Sequence, residues 1–275
     1  LSPALQPQVR LDMTSFETLL ISQPAPHVLQ VTLNRPEAAN AFNTQMALDL
    51  VSAFEAVAME PGDTRAIILT GSGARAFCAG GDLKERNGMS NAAWERQHLI
   101  YERMARAILN CPIPIIGAIN GAAYGGGCEL AAAVDFTYVA EGSKFAQTEV
   151  KIGIIPGAGG TQTLPRAIGE RRAKELILTG QVFNAQQALD WGLANAVYPL
   201  EDLLPAAIAT AQAIAANAPV AVWQAKQAIS KGSSMGLADG LAFEIEAYNR
   251  TIPTQDRREG VLAFNEKRLP NFTGD

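Results

Sequence analysis

The stretch Asn120-Gly-Ala-Ala-Tyr-Gly125-Gly126-Gly127-Cys128-Glu129-Leu-Ala-Ala-Ala-Val-Asp135 sets the reading of the whole chain. Ahead of it, Ile115-Ile-Gly-Ala-Ile119 is introduced by Pro112 and Pro114 and reads as a strand. Behind it, three glycines open onto Cys128, Glu129 and a run of Leu and Ala that reads as a helix. Strand, glycine turn and helix in immediate succession is the pattern of an α/β protein. A helix start offers N–H groups without partners and a positive potential, a ready seat for an oxyanion or a phosphate. Glu129 stands in the first turn of this otherwise apolar helix. Two accounts fit it. An acid there complements the helix dipole, worth about 0.3–1 kcal/mol. Alternatively, the apolar residues that follow bury it, and a buried carboxylate without partner or task is costly.

Outward from this stretch, Val28-Leu-Gln-Val-Thr-Leu33 and residues 66–70 read as further strands. Between them, Asn43-Thr44 opens a segment with apolar residues at Met46, Leu50, Val51, Phe54 and Val57, a helical period. A longer helical stretch covers about 91–109. Past Gly125, strands and short helices alternate. After about Leu203 the β signal vanishes and helical patterns follow near 203–217, 220–231, 237–250 and 255–268. The expected organisation is an α/β body over residues 1–202 and a helical region over 203–275, packed on that body or on a neighbouring subunit. No sequence repeat is visible.

Composition narrows the function. With 48% hydrophobic and 18% charged residues, 275 residues are enough for a folded globular body. A net charge of −5 speaks against a general nucleic-acid binder. Three cysteines with no C-x-x-C spacing argue against a disulfide scaffold or a zinc site and for a reducing compartment. Only His27 and His98 are present, too few for a His-rich metal site. No apolar run approaches the ~20 residues of a membrane span. The first residues, Leu1-Ser-Pro-Ala-Leu, read as a trimmed end with no secretion signal.

Two familiar patterns fail on context. Gly71-Ser-Gly73-Ala-Arg-Ala76 mimics a dinucleotide turn, but Phe77-Cys-Ala-Gly80-Gly81-Asp82 cannot open the helix such a turn requires. Gly232-Ser-Ser-Met-Gly236 matches a nucleophile elbow, yet what precedes it is helical and both histidines lie upstream. Two other segments remain beside the opening one. Ala76–Lys84 in sequence is a glycine-rich loop, either a plain turn or one whose N–H groups approach a ligand closely. In Phe145-Ala-Gln-Thr-Glu149-Val-Lys151, Glu149 either caps a turn or pairs with Lys151, or serves chemistry. Two glycine-rich N–H sources and two carboxylates point to enolate chemistry. Negative charge gathers on a carbonyl oxygen, N–H groups stabilise it, and carboxylates move the protons.

These segments resemble the crotonase (enoyl-CoA hydratase/isomerase) superfamily from about residue 28 to 267. The resemblance rests on Phe77-Cys-Ala-Gly-Gly-Asp82, on Asn120-Gly121 with Gly125-Gly-Gly-Cys-Glu-Leu130, and on Ile155-Pro-Gly-Ala-Gly-Gly-Thr-Gln162, in that order. It implies a spiral of β-β-α units with a C-terminal helical trimerisation region, assembled as a homotrimer or homohexamer. It implies an oxyanion hole from the N–H groups of Gly81 and Gly126. Glu129 and Glu149 become the catalytic acids, the first chiefly activating water and the second chiefly delivering a proton to C2. Gly157 lies near the reacting water, while Ala79, Asp82, Lys84 and Lys267 contact coenzyme A, Lys267 that of a neighbouring subunit. Gly81 stands where many members carry Ala, and Thr148 replaces a common Pro. The implied activity is reversible syn hydration of a 2-enoyl-CoA to a 3-hydroxyacyl-CoA, with isomerisation as the alternative. Coenzyme A is part of the substrate; no cofactor, metal or membrane is implied, and the location is cytoplasmic, or the mitochondrial matrix had a targeting peptide been removed. A closer likeness at Leu83-Lys-Glu-Arg86 and Thr251-Ile-Pro-Thr-Gln-Asp-Arg257 is to 3-methylglutaconyl-CoA hydratases of leucine breakdown. One relative in that group binds AU-rich RNA through a lysine-rich helix; here residues 36–64 hold five acids and no Lys or Arg, so RNA binding is not expected.

Overall fold

The computed structural model describes residues 16–275; the expectation about the first residues lies outside them. Strands β1 (Leu19–Ala25) and β2 (Val28–Leu33) form an antiparallel hairpin. Helix α1 (Thr44–Met59) follows, its first turn closed by the Asn43 side chain accepting from the Met46 N–H. Then come β3 (Ala66–Gly71), β4 (Ala76–Cys78), α2 (Leu83–Arg86) and α3 (Asn91–Leu109). Next are β5 (Ile115–Ile119), β6 (Ala122–Tyr124) and α4 (Gly126–Ala133). β7 (Phe136–Ala140), β8 (Lys144–Ala146), a 3-10 turn (Glu149–Ile152), α5 (Gly160–Ile168) and α6 (Glu170–Thr179) continue the chain. The remainder is β9 (Phe183–Asn184), α7 (Ala185–Trp191), β10 (Ala196–Tyr198), α8 (Leu200–Ala215), α9 (Pro219–Gly232), α10 (Leu237–Asn249) and α11 (Gln255–Glu266).

The strands sort into two sheets. The larger has the order β1-β2-β3-β5-β7-β10, parallel from β2 onward; the smaller is β4-β6-β8-β9. From β3 to β8 consecutive strands therefore alternate between sheets, and a helix follows each pair: β3-β4 then α2 and α3, β5-β6 then α4, β7-β8 then α5. This is the expected spiral of β-β-α units. The repeat is invisible in the letters because its turns differ so much in length, with larger-sheet strands starting at 66, 115 and 136. Strands β3 and β5 are buried at every position, as parallel strands covered on both faces should be.

Helix α8 corrects the expected boundary. Leu203, Ala207, Ala211 and Ala215 recur every fourth residue on one helix face. That face packs on Val28, Ala66, Ile68, Ile116 and Ala118 of the larger sheet. A boundary at 202/203 thus cuts the first turn of a helix that covers the α/β body, and the helical region begins after it. There the packing is sparse. Pro219 is the one buried residue of α9, and Ala247 that of α10. Along α10, Leu237, Leu241, Ile245 and Tyr248 form an exposed stripe, with Leu237 81% accessible. The segment 71–76 runs between two strands rather than into a helix, and 232–236 joins α9 to α10. Neither rejected motif is rescued.

Candidate active site

The spiral brings three loops to one cavity of about 480 Å³. Its walls include Ala79, Gly80 and Gly81 from the loop after β4, Gly125, Gly126 and Glu129 from the start of α4, and Thr148 and Glu149 after β8. Gly157 and Ala158 close one side; Trp94, His98 and Tyr101 of α3 form another.

Gly81 owes its free N–H to a residue the sequence did not single out. Phe42 forms a parallel bridge with Gly81, in which the Phe42 N–H donates to Gly80 O (2.8 Å) and the Asp82 N–H to Phe42 O (2.9 Å). A parallel bridge uses the groups on either side of the central residue, so the Gly81 N–H is left without an acceptor among the described residues. The loop is pinned from beneath. Arg35 donates from Nη1 and Nη2 to Asp82 Oδ2, both at 3.0 Å, and from Nη1 to Ala41 O. Gly126 is the first residue of α4, so its N–H has no helical partner either. Gly125 sets it there with φ +51° and ψ −125°, which a side-chain-bearing residue rarely adopts. Gly126 itself has no room for a side chain: a Cβ would come 2.3 Å from Phe42 Cζ.

Glu129 is 3% exposed, and its Oε1 accepts from the Ala158 and Gly160 N–H groups, each at 2.8 Å. It thus caps the start of α5 from another element. Burial raises its pKa, and those N–H bonds pull the other way by favouring the ionised form. Glu149 is buried at the start of the 3-10 turn. Burial pushes it up to about 7, the Glu129 charge adding to the rise against the pull of its own backbone N–H. Lys151 is not its partner, since Lys151 Nζ donates to Gly180 O at 2.7 Å. Its neighbour is instead the fully buried Gln147, whose amide nitrogen, turned to the carboxylate, lies 3.1 Å from both oxygens.

The family description for enoyl-CoA hydratase/isomerase matches residues 25–275. The chain belongs to the enoyl-CoA hydratase/isomerase family. Relatives in this family include the enoyl-CoA isomerase/hydratase fer4 of Mycosarcoma maydis, 44% identical over 90% of the chain and 93% of the relative. The crotonyl-CoA hydratase of Syntrophomonas wolfei is 39% identical over 87% and 92%. A crystal structure of an enoyl-CoA hydratase from Bacillus anthracis superposes with a TM-score of 0.92 at 44% identity, covering 94% of this chain and all of that one.

Within this enoyl-CoA hydratase/isomerase fold, the cavity gathers Ala79, Gly81, Gly126, Glu129, Glu149 and Gly157 of the expected residues. Three others lie off its walls. Asp82 is committed to Arg35 and to the start of α2, where its Oδ1 accepts from the Lys84 and Glu85 N–H groups. Lys84 is exposed on α2, and Lys267 ends α11. The residues missed are Phe42, Gln147, Arg86, Trp94 and His98. His98 carried a signal, being one of only two histidines; its ring stands where a side chain on Gly157 would go. Among the described residues no His, Cys, Asp and Glu side chains gather as a metal site.

Proposed function

We propose that the protein is an enoyl-CoA hydratase adding water syn across the double bond of a 2-enoyl-CoA. The observation that carries the reading is two buried carboxylates in one cavity, Glu129 clamped by two backbone N–H groups and Glu149 beside Gln147, next to two N–H groups that have no acceptor among the described residues. The thioester oxygen accepts from Gly81 and Gly126. Glu129, its Oε1 held in place by the Ala158 and Gly160 N–H groups, takes a proton from water as the oxygen bonds to C3. The electron pair moves onto the thioester as an enolate, and Glu149, protonated near neutrality, returns a proton to C2. No cofactor enters; coenzyme A is carried by the substrate, its phosphates toward Lys84 and, from a neighbouring subunit, Lys267.

The finer reading takes 3-methylglutaconyl-CoA as a substrate, places the protein in leucine degradation, and locates it in the cytoplasm, in keeping with three unpaired buried thiols. A panel of crotonyl-, 2-pentenoyl- and 3-methylglutaconyl-CoA, followed by loss of enoyl absorbance, tests it. Isomerisation without hydration on every member would overturn the hydratase reading.

The carboxylate pair also sets a pH dependence. Hydration requires one proton on the pair, carried by Glu149. As pH rises through about 7, that proton is lost and kcat/KM falls; at low pH Glu129 is protonated and it falls again. Because the overall reaction neither takes up nor releases a proton, dehydration must follow the same curve. A kcat/KM for hydration that stays flat as pH rises through about 7 would refute this assignment.

Self-association as a homotrimer or homohexamer is proposed from the uncovered apolar face of the last helices. Besides the α10 stripe, Phe264 and Leu269 are 83% and 90% accessible. Light scattering at micromolar concentration is expected to give three or six chains; a monomer would remove the proposal.

A further inference from the structure

Glu149 sits on a turn with few ties to the rest of the molecule. From Thr148 to Ile155 the main-chain hydrogen bonds are local, among them Lys151 N–H to Thr148 O, Gly153 N–H to Val150 O and Ile154 N–H to Glu149 O. Among the described residues, one hydrogen bond joins this stretch to another element, from Lys151 Nζ to Gly180 O at 2.7 Å. Gly180 has the shape to receive that side chain. It closes α6 at φ +60°, and a Cβ on it would stand 2.5 Å from Lys151 Cε and 3.1 Å from Cδ. The lysine stem therefore lies in the space a side chain would fill. α6 is a firm post, with Ala173 and Leu176 buried in the main core. Just beyond Gly180 the chain enters β9, whose Phe183 and Asn184 pair with Phe145 and Lys144 of β8. The two phenylalanine rings stack at 5.3 Å. Residues 180–184 thus hold the chain on both sides of Glu149, by a strand ladder before it and by one lysine after it.

We infer that Lys151 is a positioning residue for Glu149: by tying the 3-10 turn to the end of α6, it keeps the carboxyl where a proton reaches C2. This rests on the hydratase reading for the task of Glu149. Proton transfer needs donor and acceptor within hydrogen-bond reach, and a misplacement of about 1 Å can cost ~10²-fold in rate. The internal bonds of a four-residue turn fix its shape but not its place. The tie to Gly180 supplies the place. Glu129 needs no such tie, because its own helix and the Ala158 and Gly160 N–H groups already hold it.

The test is a double-mutant cycle on hydration of crotonyl-CoA, with circular dichroism to establish that each variant is folded. Lys151→Met keeps most of the stem and removes the ammonium. It is expected to lower kcat about 10-fold or more and to leave KM within about 2-fold, since the thioester is still held at Gly81 and Gly126. Lys151→Arg, which can still donate to Gly180 O, is expected to recover most of the lost rate. In a Glu149→Gln background, where no proton is left to place, Lys151→Met is expected to cost less than about 2-fold. An equal loss in both backgrounds would make Lys151 a general support of the fold and overturn the inference alone, leaving Glu149 as the acid. Unchanged kcat in folded Lys151→Met would overturn it too, as would a loss confined to KM. Normal hydration by Glu149→Gln would remove the acid itself, and the inference with it.

Discussion

Glu149→Gln is expected to slow hydration of crotonyl-CoA by at least about 10²-fold while leaving acyl-CoA binding in place, the range of a general acid–base contribution. The amide keeps the size of the side chain and its place beside Gln147, but it cannot deliver a proton to C2. Glu129→Gln is expected to cost a similar factor for a different reason. Its amide oxygen can still accept from the Ala158 and Gly160 N–H groups, so the loop stays put while the base is lost. The two changes together should cost less than the product of their separate effects, because groups that act as a unit are not additive. Steady-state rates on all three variants, with inhibition by a saturated acyl-CoA as the binding measure, check this. If Glu149→Gln hydrated normally, one carboxylate would suffice and isomerisation would become the better reading.

Gly126→Pro is expected to abolish turnover. Losing one oxyanion donor costs roughly 10²–10³ in kcat, and the ring adds a collision with Phe42 at a point where even a methyl group would come 2.3 Å from Cζ. That collision links the two halves of the oxyanion site. The Phe42 backbone brackets Gly81 while its ring lies against Gly126, so a side chain at 126 displaces the other donor as well. Gly126→Ala, which keeps its N–H, should therefore still lose activity, and Phe42→Leu should restore part of it. Gly81→Ala should be mild, since a Cβ there meets only the Tyr101 ring at 3.6 Å, the Arg86 carbon and the Phe42 ring at 3.9 Å, all ordinary contacts. Full activity in folded Gly126→Pro would remove Gly126 from the oxyanion hole.

Much of this was legible in residue order alone. Residues 66–70 and Ile115–Ile119 are short apolar runs because parallel strands covered on both sides need no polar face, and the strands they predict are found at β3 and β5. The period in residues 43–59 and 91–109 predicts α1 and α3, since an amphipathic helix writes its buried face every third or fourth letter. The glycines before Glu129 mark the start of α4, because only glycine meets both the positive φ at 125 and the close approach at 126. β1 escaped the sequence reading, its middle being exposed and polar, and β6, β8 and β9 span only two or three residues, too few for any period to show.

The tertiary structure decided what each group can do. Which N–H of the 79–82 loop stays free depends on Phe42, far earlier in the chain, and on the register of one bridge. Whether Glu129 merely complements its own helix or is clamped by another depends on where α5 begins beside it. Lys151 lies two residues from Glu149 yet bonds Gly180, and Arg86 is held through its Nε by Gln97 on α3. Short-range order is written locally because dihedral preference and hydrophobic period act over a few residues. Charge state, free donors and pairing are set by burial and by partners distant in sequence, and these exist only once the chain has folded.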